Sequence, residues 1–599
     1  MIQAEKLTYS FPEKVLYKDI SFTLEDGMHC ALIGSNGTGK TTLIQMLMDP
    51  DEWLYTGRII NTNEGRTGYV SQFFKTSKEN TMTVFEYLSE DFVRLQKQNE
   101  ALCAEMAEAE DLDEVFARYQ KVMDEIEAVD GNNYESNISK QLKLAGMKGM
   151  EDLEIGKLSG GEYKLLQVIR QMMQMPSLLI MDEPDVFLDF GNLNGLVQLI
   201  NSYRGTILAV THNRYLLNHC FNKILHLENA DIQEFDGNFA EYNLSLLKKK
   251  IELQELAAAD QEEIERTRAM VKRLREKATK FDNASFGRTV HAKQTQLERL
   301  EARQIKEPFV NVRQPDIVLP AVGRNGSEKD PVLEGEAGAA ASVEPEVVTP
   351  VLRVENYHLE FEDLLLDEVN FELNPGEKAA LAGPNGTGKT TLLRQIFAGD
   401  DPAVTIRSGT KIGFLSQNHS ETLNEQHTIY EEFEELGFET RAEIQNYLKH
   451  YCFDEEALDS RIDILSGGEK NLLQLARIGA GKADFLLLDE PTSHLDTYSQ
   501  IALEKALADY KGTVLMVSHD FYTIANTMDY VFYVEDKTLR KMRVRTFRKM
   551  IYKNYFSQEY LELEQKKKEL ELRIESCLRE HDFETAKTLS EQMEVIVKK

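Results

Sequence analysis

One ordered series of five short motifs occurs twice in this chain. GSNGTGKTT at Gly34–Thr42 returns as GPNGTGKTT at Gly383–Thr391. GYVSQ ending at Gln72 returns as GFLSQ ending at Gln417, and LSGGE at Leu158–Glu162 returns at Leu465–Glu469. LLIMDEP at Leu178–Pro184 returns as LLLDEP at Leu486–Pro491, and THN around His212 as SHD around His519. Such a repeat requires two modules of one architecture. A chain of 599 residues is also too long for a single core.

Each motif carries its own chemistry. The apolar CALI before the first series reads as a buried strand, and TTLIQML after it as a helix. Between them Gly34, Gly37 and Gly39 let the backbone turn tightly and aim N–H groups at phosphate oxygens; Gly383, Gly386 and Gly388 repeat this. Asn36, Thr42, Asn385 and Thr391 complete the two cradles, and each helix N-terminus adds a positive dipole end. Lys40 and Lys389 reach the β- and γ-phosphates, while Thr41 and Thr390 offer hydroxyls to Mg2+. LLIMDE and LLLDE read as parallel-sheet strands covered on both faces, so the fold class is α/β. Their terminal carboxylates divide the work. Asp182 and Asp489 suit the Mg2+ shell, and Glu183 and Glu490 suit a base that orients the attacking water. His212 and His519 follow the apolar strands TILAV and TVLMV, where a side chain can sense the γ-phosphate. Gln72 and Gln417 are placed to link Mg2+ to a helical subdomain.

LSGGE supplies a second anion site per module. Ser159 and Ser466 cap the following helices. Gly160, Gly161, Gly467 and Gly468 expose backbone N–H groups beside Glu162 and Glu469. Its use follows if the modules face head to tail, so that each LSGGE closes over the γ-phosphate held by the other P-loop. Phe11 and Phe361 precede the P-loops, where an aromatic either stacks on adenine or belongs to the core.

The chain between and after the modules differs in kind. The first module spans residues 1–242 and includes an acidic helical insertion over about 90–135. That insertion explains why 86 positions separate Gln72 from Leu158, against 48 between Gln417 and Leu465. Residues 243–306 read as a helical hairpin, with a stripe at Ile264, Val271, Leu274, Ala278 and Phe281 and a turn near Asn283–Gly287. Val290, Leu297 and Leu300 continue the stripe. Residues 307–350 are proline-rich and read as an extended linker that buries no core. The second module spans 351–550. Residues 551–599 read as a charged helical tail with a break near His581, either a hairpin of its own or a layer on the second module.

Charge sharpens this organisation. The chain carries 69 Lys/Arg against 101 Asp/Glu, a net −32, which argues against general nucleic-acid binding. Yet Arg266–Arg299 holds ten Lys/Arg and three Asp/Glu, a local +7 that is either an RNA contact or a solvated helix face. No apolar run approaches the roughly 18–20 residues of a membrane span. The N-terminus shows no secretory signal, and five scattered cysteines point to a reducing, cytoplasmic setting.

These motifs resemble those of ATP-binding-cassette ATPases across both modules. More narrowly, the chain resembles the ABC-F family: two cassettes on one chain, no membrane domain, and a charged hairpin between them. FDGNFAEY at Phe235–Tyr242 and KATKFDNASFGRTVHAKQTQLERLE at Lys277–Glu301 are similar to that family's lead-in and hairpin segments. The resemblance implies a cytoplasmic, Mg2+-dependent ATPase, monomeric with intramolecular cassette pairing. It implies a ribosome as partner, with the hairpin directed at rRNA and peptidyl-tRNA. It leaves open whether the chain regulates translation or protects ribosomes from antibiotics. A fused transporter ATPase is the rival within the enzyme class, and a DNA-repair or chromosome ATPase the rival outside it. One departure stands out. The family's DEPTNHLD is DEPDVFLD in the first module, with Asp185, Val186 and Phe187, and DEPTSHLD in the second. Asn213 follows His212 where Asp520 follows His519, so equal turnover at the two sites is in doubt.

Overall fold

Each motif series builds the same six-stranded sheet. In the first cassette its order is Thr67–Val70, Leu178–Asp182, Thr206–Val210, His29–Ile33, Lys223–Glu228 and Asp231–Asp236. In the second it is Ile412–Leu415, Phe485–Asp489, Thr513–Val517, Lys378–Ala382, Tyr530–Glu535 and Thr538–Arg543. The P-loop strand, the acidic strand and the strand between them run parallel in both. Their side chains are buried on both faces, which is why they read as unbroken apolar runs. A three-stranded antiparallel sheet covers each, built on Ile2–Ser10 and on Leu352–Glu360.

The computed structural model describes residues 2–11, 15–61, 67–72, 81–108, 112–281, 291, 293–297, 314–320, 349–361, 364–555 and 558–598. Both cassettes fall in one unit, Met1–Glu234 with Arg313–Tyr555. The insertion in the first forms helices Val84–Glu108 and Leu112–Ala128. Residues 314–320 lie extended, but they are not merely a spacer. Ile317 and Leu319 are buried, Tyr451 donates to the Val318 carbonyl at 2.9 Å, and Asp316 N–H donates to the His450 carbonyl at 2.7 Å. Cys30 and Cys220 are buried, Cys452 and Cys577 half-buried, and Cys103 exposed.

The second unit, Phe235–Val312 with Phe556–Lys599, has a core of its own. Helix Phe239–Phe281 runs 43 residues, about 65 Å at 1.5 Å per residue. Ile264 and Val271 of the stripe are buried; the turn at 283–287, Val290, Leu300 and the side chains of Ala278 and Phe281 lie outside the described residues. The tail forms helices Gln558–Arg579 and Phe583–Val597, parted at His581, whose φ is 60°. Asp582 caps the second of these. Leu570, Ile574, Ala586, Leu589 and Met593 pack with Leu244 and Ile251 of the long helix. Lys248–Glu594 and Lys587–Glu255 flank this seam. Ile574→Ala is therefore expected to cost about 2–5 kcal/mol locally, measured as faster proteolysis of the C-terminal helices.

Candidate functional site

The parallel strands bring three chemistries to one edge. His29–Ile33 leads into Gly34, Leu178–Asp182 into Glu183, and Thr206–Val210 into His212, all at the carboxyl ends of neighbouring strands. The second cassette repeats this with Gly383, Glu490 and His519. Gly39 and Gly388 start their helices at φ 96° and 86°, a left-handed conformation that glycine adopts without strain. Glu183 and Glu490 hold φ of 45° and 48°, and their N–H groups donate to Val210 and Val517. Strained backbone at a carboxylate of this kind is a mark of function.

Charge and burial then set the chemistry. Lys40 and Lys389 are buried, and each ammonium donates to two P-loop carbonyls. Asp182 and Asp489 are buried, and burial raises both carboxyls, Asp182 to about 6. Thr390 Oγ1 donates to Asp489 Oδ1 at 2.9 Å, while the buried Oδ2 has no hydrogen-bond partner among the described residues. A hydroxyl beside a carboxylate with one oxygen unsatisfied fits a hard divalent cation. Among the described residues no group of three or more His, Cys, Asp or Glu is placed to hold a metal ion. Burial lowers His212 to about 4 and His519 to about 3, which favours the neutral imidazole at both. Both ring nitrogens of His212 lack a partner among the described residues.

The cassettes complete one another. Asn36 N–H donates to Asp496 Oδ2 at 3.2 Å, and its amide to the His494 carbonyl at 2.9 Å. Asn385 mirrors this with Asp189 Oδ2 at 3.1 Å and the Phe187 carbonyl at 2.7 Å. The second glycine of each signature comes against the opposite P-loop. A Cβ on Gly468 would lie 2.0 Å from Asn36 Nδ2, and one on Gly161 3.3 Å from Asn385 Nδ2. A cavity of about 710 Å³ results, lined by Ser159–Gly161 of one cassette and Gly386–Thr391, Gln417, Glu490 and His519 of the other.

Glu162 and Glu469 accept from Ser159 and Ser466 N–H at 2.7 and 2.9 Å and receive the serine hydroxyl's cap in return. Those carboxylates hold the signature turn through a capping box. Asn213 caps helix Arg214–His219 as Asp520 caps Phe521–Thr527, so that exchange preserves a cap. Thr41 and Thr42 lie on the first P-loop helix, and Gln72 donates to Glu183 at 2.6 Å. Phe11 and Phe361 are exposed, which removes the core alternative for both.

Sequence reasoning passed over other residues. Asp189 and Asp496 each cap their own helix with Oδ1 while Oδ2 takes the opposite P-loop. Their signal was present, the repeated final Asp of DEPxxxLD. Lys164 is fully buried, and its ammonium donates to the Ser71 and Gln72 carbonyls at 2.5 and 3.2 Å. Its counterpart Asn471 instead reaches the Ser493 carbonyl at 2.5 Å. Arg214 crosses between cassettes to Glu504 and Asp520.

Family profiles described as "ABC transporter" match residues 17–186 and 366–493, and a second profile with that description matches 225–317. The putative ATP-binding protein YdiF of Bacillus subtilis is 29% identical, over 88% of this chain and 78% of that protein. ABC transporter F family member 5 of Arabidopsis thaliana is 28% identical, over 90% and 75%. The energy-dependent translational throttle protein EttA of Escherichia coli is 26% identical, over 88% and 90%. Among solved structures, the archaeal ribosome recycling factor aABCE1 in complex with stalk protein aP1 shares the fold. Its TM-score is 0.53 at 16% identity, covering 91% of this chain and 92% of that one. Among the described residues no helix is long and apolar enough to cross a membrane.

Proposed function

We propose, from the premise that the chain belongs to the ABC-F family of twin-cassette ATPases, that it binds a ribosome in its ATP-closed state and modulates translation through its linker hairpin. The observation that carries this is the crossed pairing of signature and P-loop within one chain. Two ATP sites are thereby complete without a second subunit. In each, the P-loop amides and Lys40 or Lys389 bind phosphate, and the opposite signature amides face it. Thr41 with Asp182, and Thr390 with Asp489, would hold Mg2+, with Gln72 and Gln417 beside them; the ion would neutralise charge between the β- and γ-phosphates. Glu183 and Glu490 orient water, and His212 and His519 contact the γ-phosphate. Hydrolysis removes the group that both halves grip, so the cassettes part and the ribosome is released.

The ribosome reading is supported by the printed role of EttA as a translational throttle and by the local +7 at Arg266–Arg299. A cytoplasmic setting goes with that partner. Arg268, Lys272 and Arg273 are exposed on helix Phe239–Phe281. Reversing all three to Glu is expected to weaken ribosome co-sedimentation and to flatten its salt dependence, by roughly 0.7–0.9 in log–log slope per lost phosphate contact. ATP affinity should be unchanged, because these residues belong to neither nucleotide site. Unaltered ribosome affinity and slope would reduce the charge run to a solvated helix face.

A further inference from the structure

The two DEPxxxLD turns share a backbone and differ in one side chain. Phe187 and His494 occupy equivalent positions, both left-handed, with φ of 70° and 59°. Their carbonyls accept from Asn385 and Asn36 of the opposite P-loops at 2.7 and 2.9 Å. The backbone therefore delivers the two side chains to equivalent places, and Phe187 lines the cavity that also holds Glu490 of the other cassette.

What arrives there is different. The His494 Nδ1 lies 3.6 Å from Glu183 Oε2 and 3.5 Å from Gln72 Nε2. The imidazole rests on Gly467, where an added Cβ would meet the ring at 3.1 Å. Glu183 is thus approached by a polar group from each cassette: Gln72 from its own and His494 from across the seam. At the other site the phenyl of Phe187 has no polar atom to offer Glu490. Among the described residues, the polar side-chain contacts of that carboxylate come from His519 of its own cassette, a backbone N–H at 3.2 Å and Nε2 at 3.7 Å.

We infer that His494 is a positioning residue supplied in trans: it orients Glu183 when the cassettes are closed, and it makes the site built on Lys40 the faster of the two. Closure brings His494 to Glu183, so at that site the same motion that grips ATP also sets the carboxylate. Glu490 is set from within its own cassette and gains no such alignment from closure. The inference rests on the reading of Glu183 and Glu490 as the water-orienting carboxylates.

The test uses the full chain and isolates each site in turn. With Glu490→Gln as background, turnover reports the Lys40 site. There His494→Phe is expected to lower kcat by about 10–100-fold, the scale of a misplaced catalytic group, with KM for ATP nearly unchanged. His494→Gln, which keeps a polar donor, is expected to restore most of the rate. In the Glu183→Gln background, Phe187→His is expected to raise kcat at the Lys389 site. This gain does not depend on the first variant folding well. An unchanged kcat in His494→Phe, or a loss that Gln does not relieve together with no gain from Phe187→His, overturns the inference. Failure of the underlying reading is seen separately, because Glu183→Gln added to the Glu490→Gln background would then leave the rate intact.

Discussion

Glu183→Gln combined with Glu490→Gln is expected to keep ATP and lose about 10²–10⁴-fold in hydrolysis, the usual contribution of a general base. The amide is nearly isosteric, and neither carboxylate belongs to the phosphate cradle, so binding persists. Both glutamates sit in left-handed backbone at the end of an acidic strand. Both lie within the reach of groups from the neighbouring strand, whose carbonyls accept their N–H groups. The measurement is phosphate release beside equilibrium nucleotide binding. A double variant that retains more than about a tenth of the parent rate would remove these residues from the role given to them. In the proposed cycle the same variant stays closed, and it should accumulate on ribosomes and inhibit translation.

The candidate nucleotide residues were legible because their chemistry fixes both type and spacing. A phosphate cradle needs glycines, one lysine and a hydroxyl at set positions, and a strand that ends in Asp-Glu declares itself by its apolar run. The head-to-tail arrangement was legible too, since an anion site unused within its own cassette needs an external partner. What a local pattern cannot encode is which distant residue completes a contact. Asn36 and Asp496 are 460 positions apart, and Gln72 and His494 are 422 apart. The difference between FLD and HLD was visible in the motifs, but its object, Glu183, was not. Lys164 looked like an ordinary charged helix residue, although it is fully buried under the Gln72 loop. Proline-rich composition hid the alternation that buries Ile317 and Leu319. The tail's spacing announced helices while leaving open their partner, which is the long linker helix.

Arg214→Ala is expected to produce the largest loss of stability of any single change at the seam between the cassettes. The guanidinium side chain is 12% exposed and belongs to the first cassette. It ion-pairs with Glu504 and, at 3.3 Å, with Asp520 of the second, and it lies 4.7 Å above the Tyr522 ring. Glu504 also accepts from Asn526 at 2.8 Å, and the single Thr523 hydroxyl hydrogen is shared between Asp520 at 2.7 Å and Glu504 at 3.1 Å. Hydrogen bonds thus partly satisfy both carboxylates, but Arg214 is the cation that both meet. Removing it leaves two like charges together in a poorly solvated seam, a defect that typically costs about 3–5 kcal/mol. Removing both sides should be milder, since a buried ion pair exchanged for well-packed neutral groups is often nearly neutral. Arg214→Met with Glu504→Gln is therefore expected to recover much of the loss caused by Arg214→Met alone. Denaturant unfolding of the four chains of this cycle, read by a probe that spans the two cassettes, measures the coupling. Additive effects would show that the arginine acts through its own cassette. A strong coupling with ATPase activity lost in step would show that this ion-pair network holds the two composite sites together.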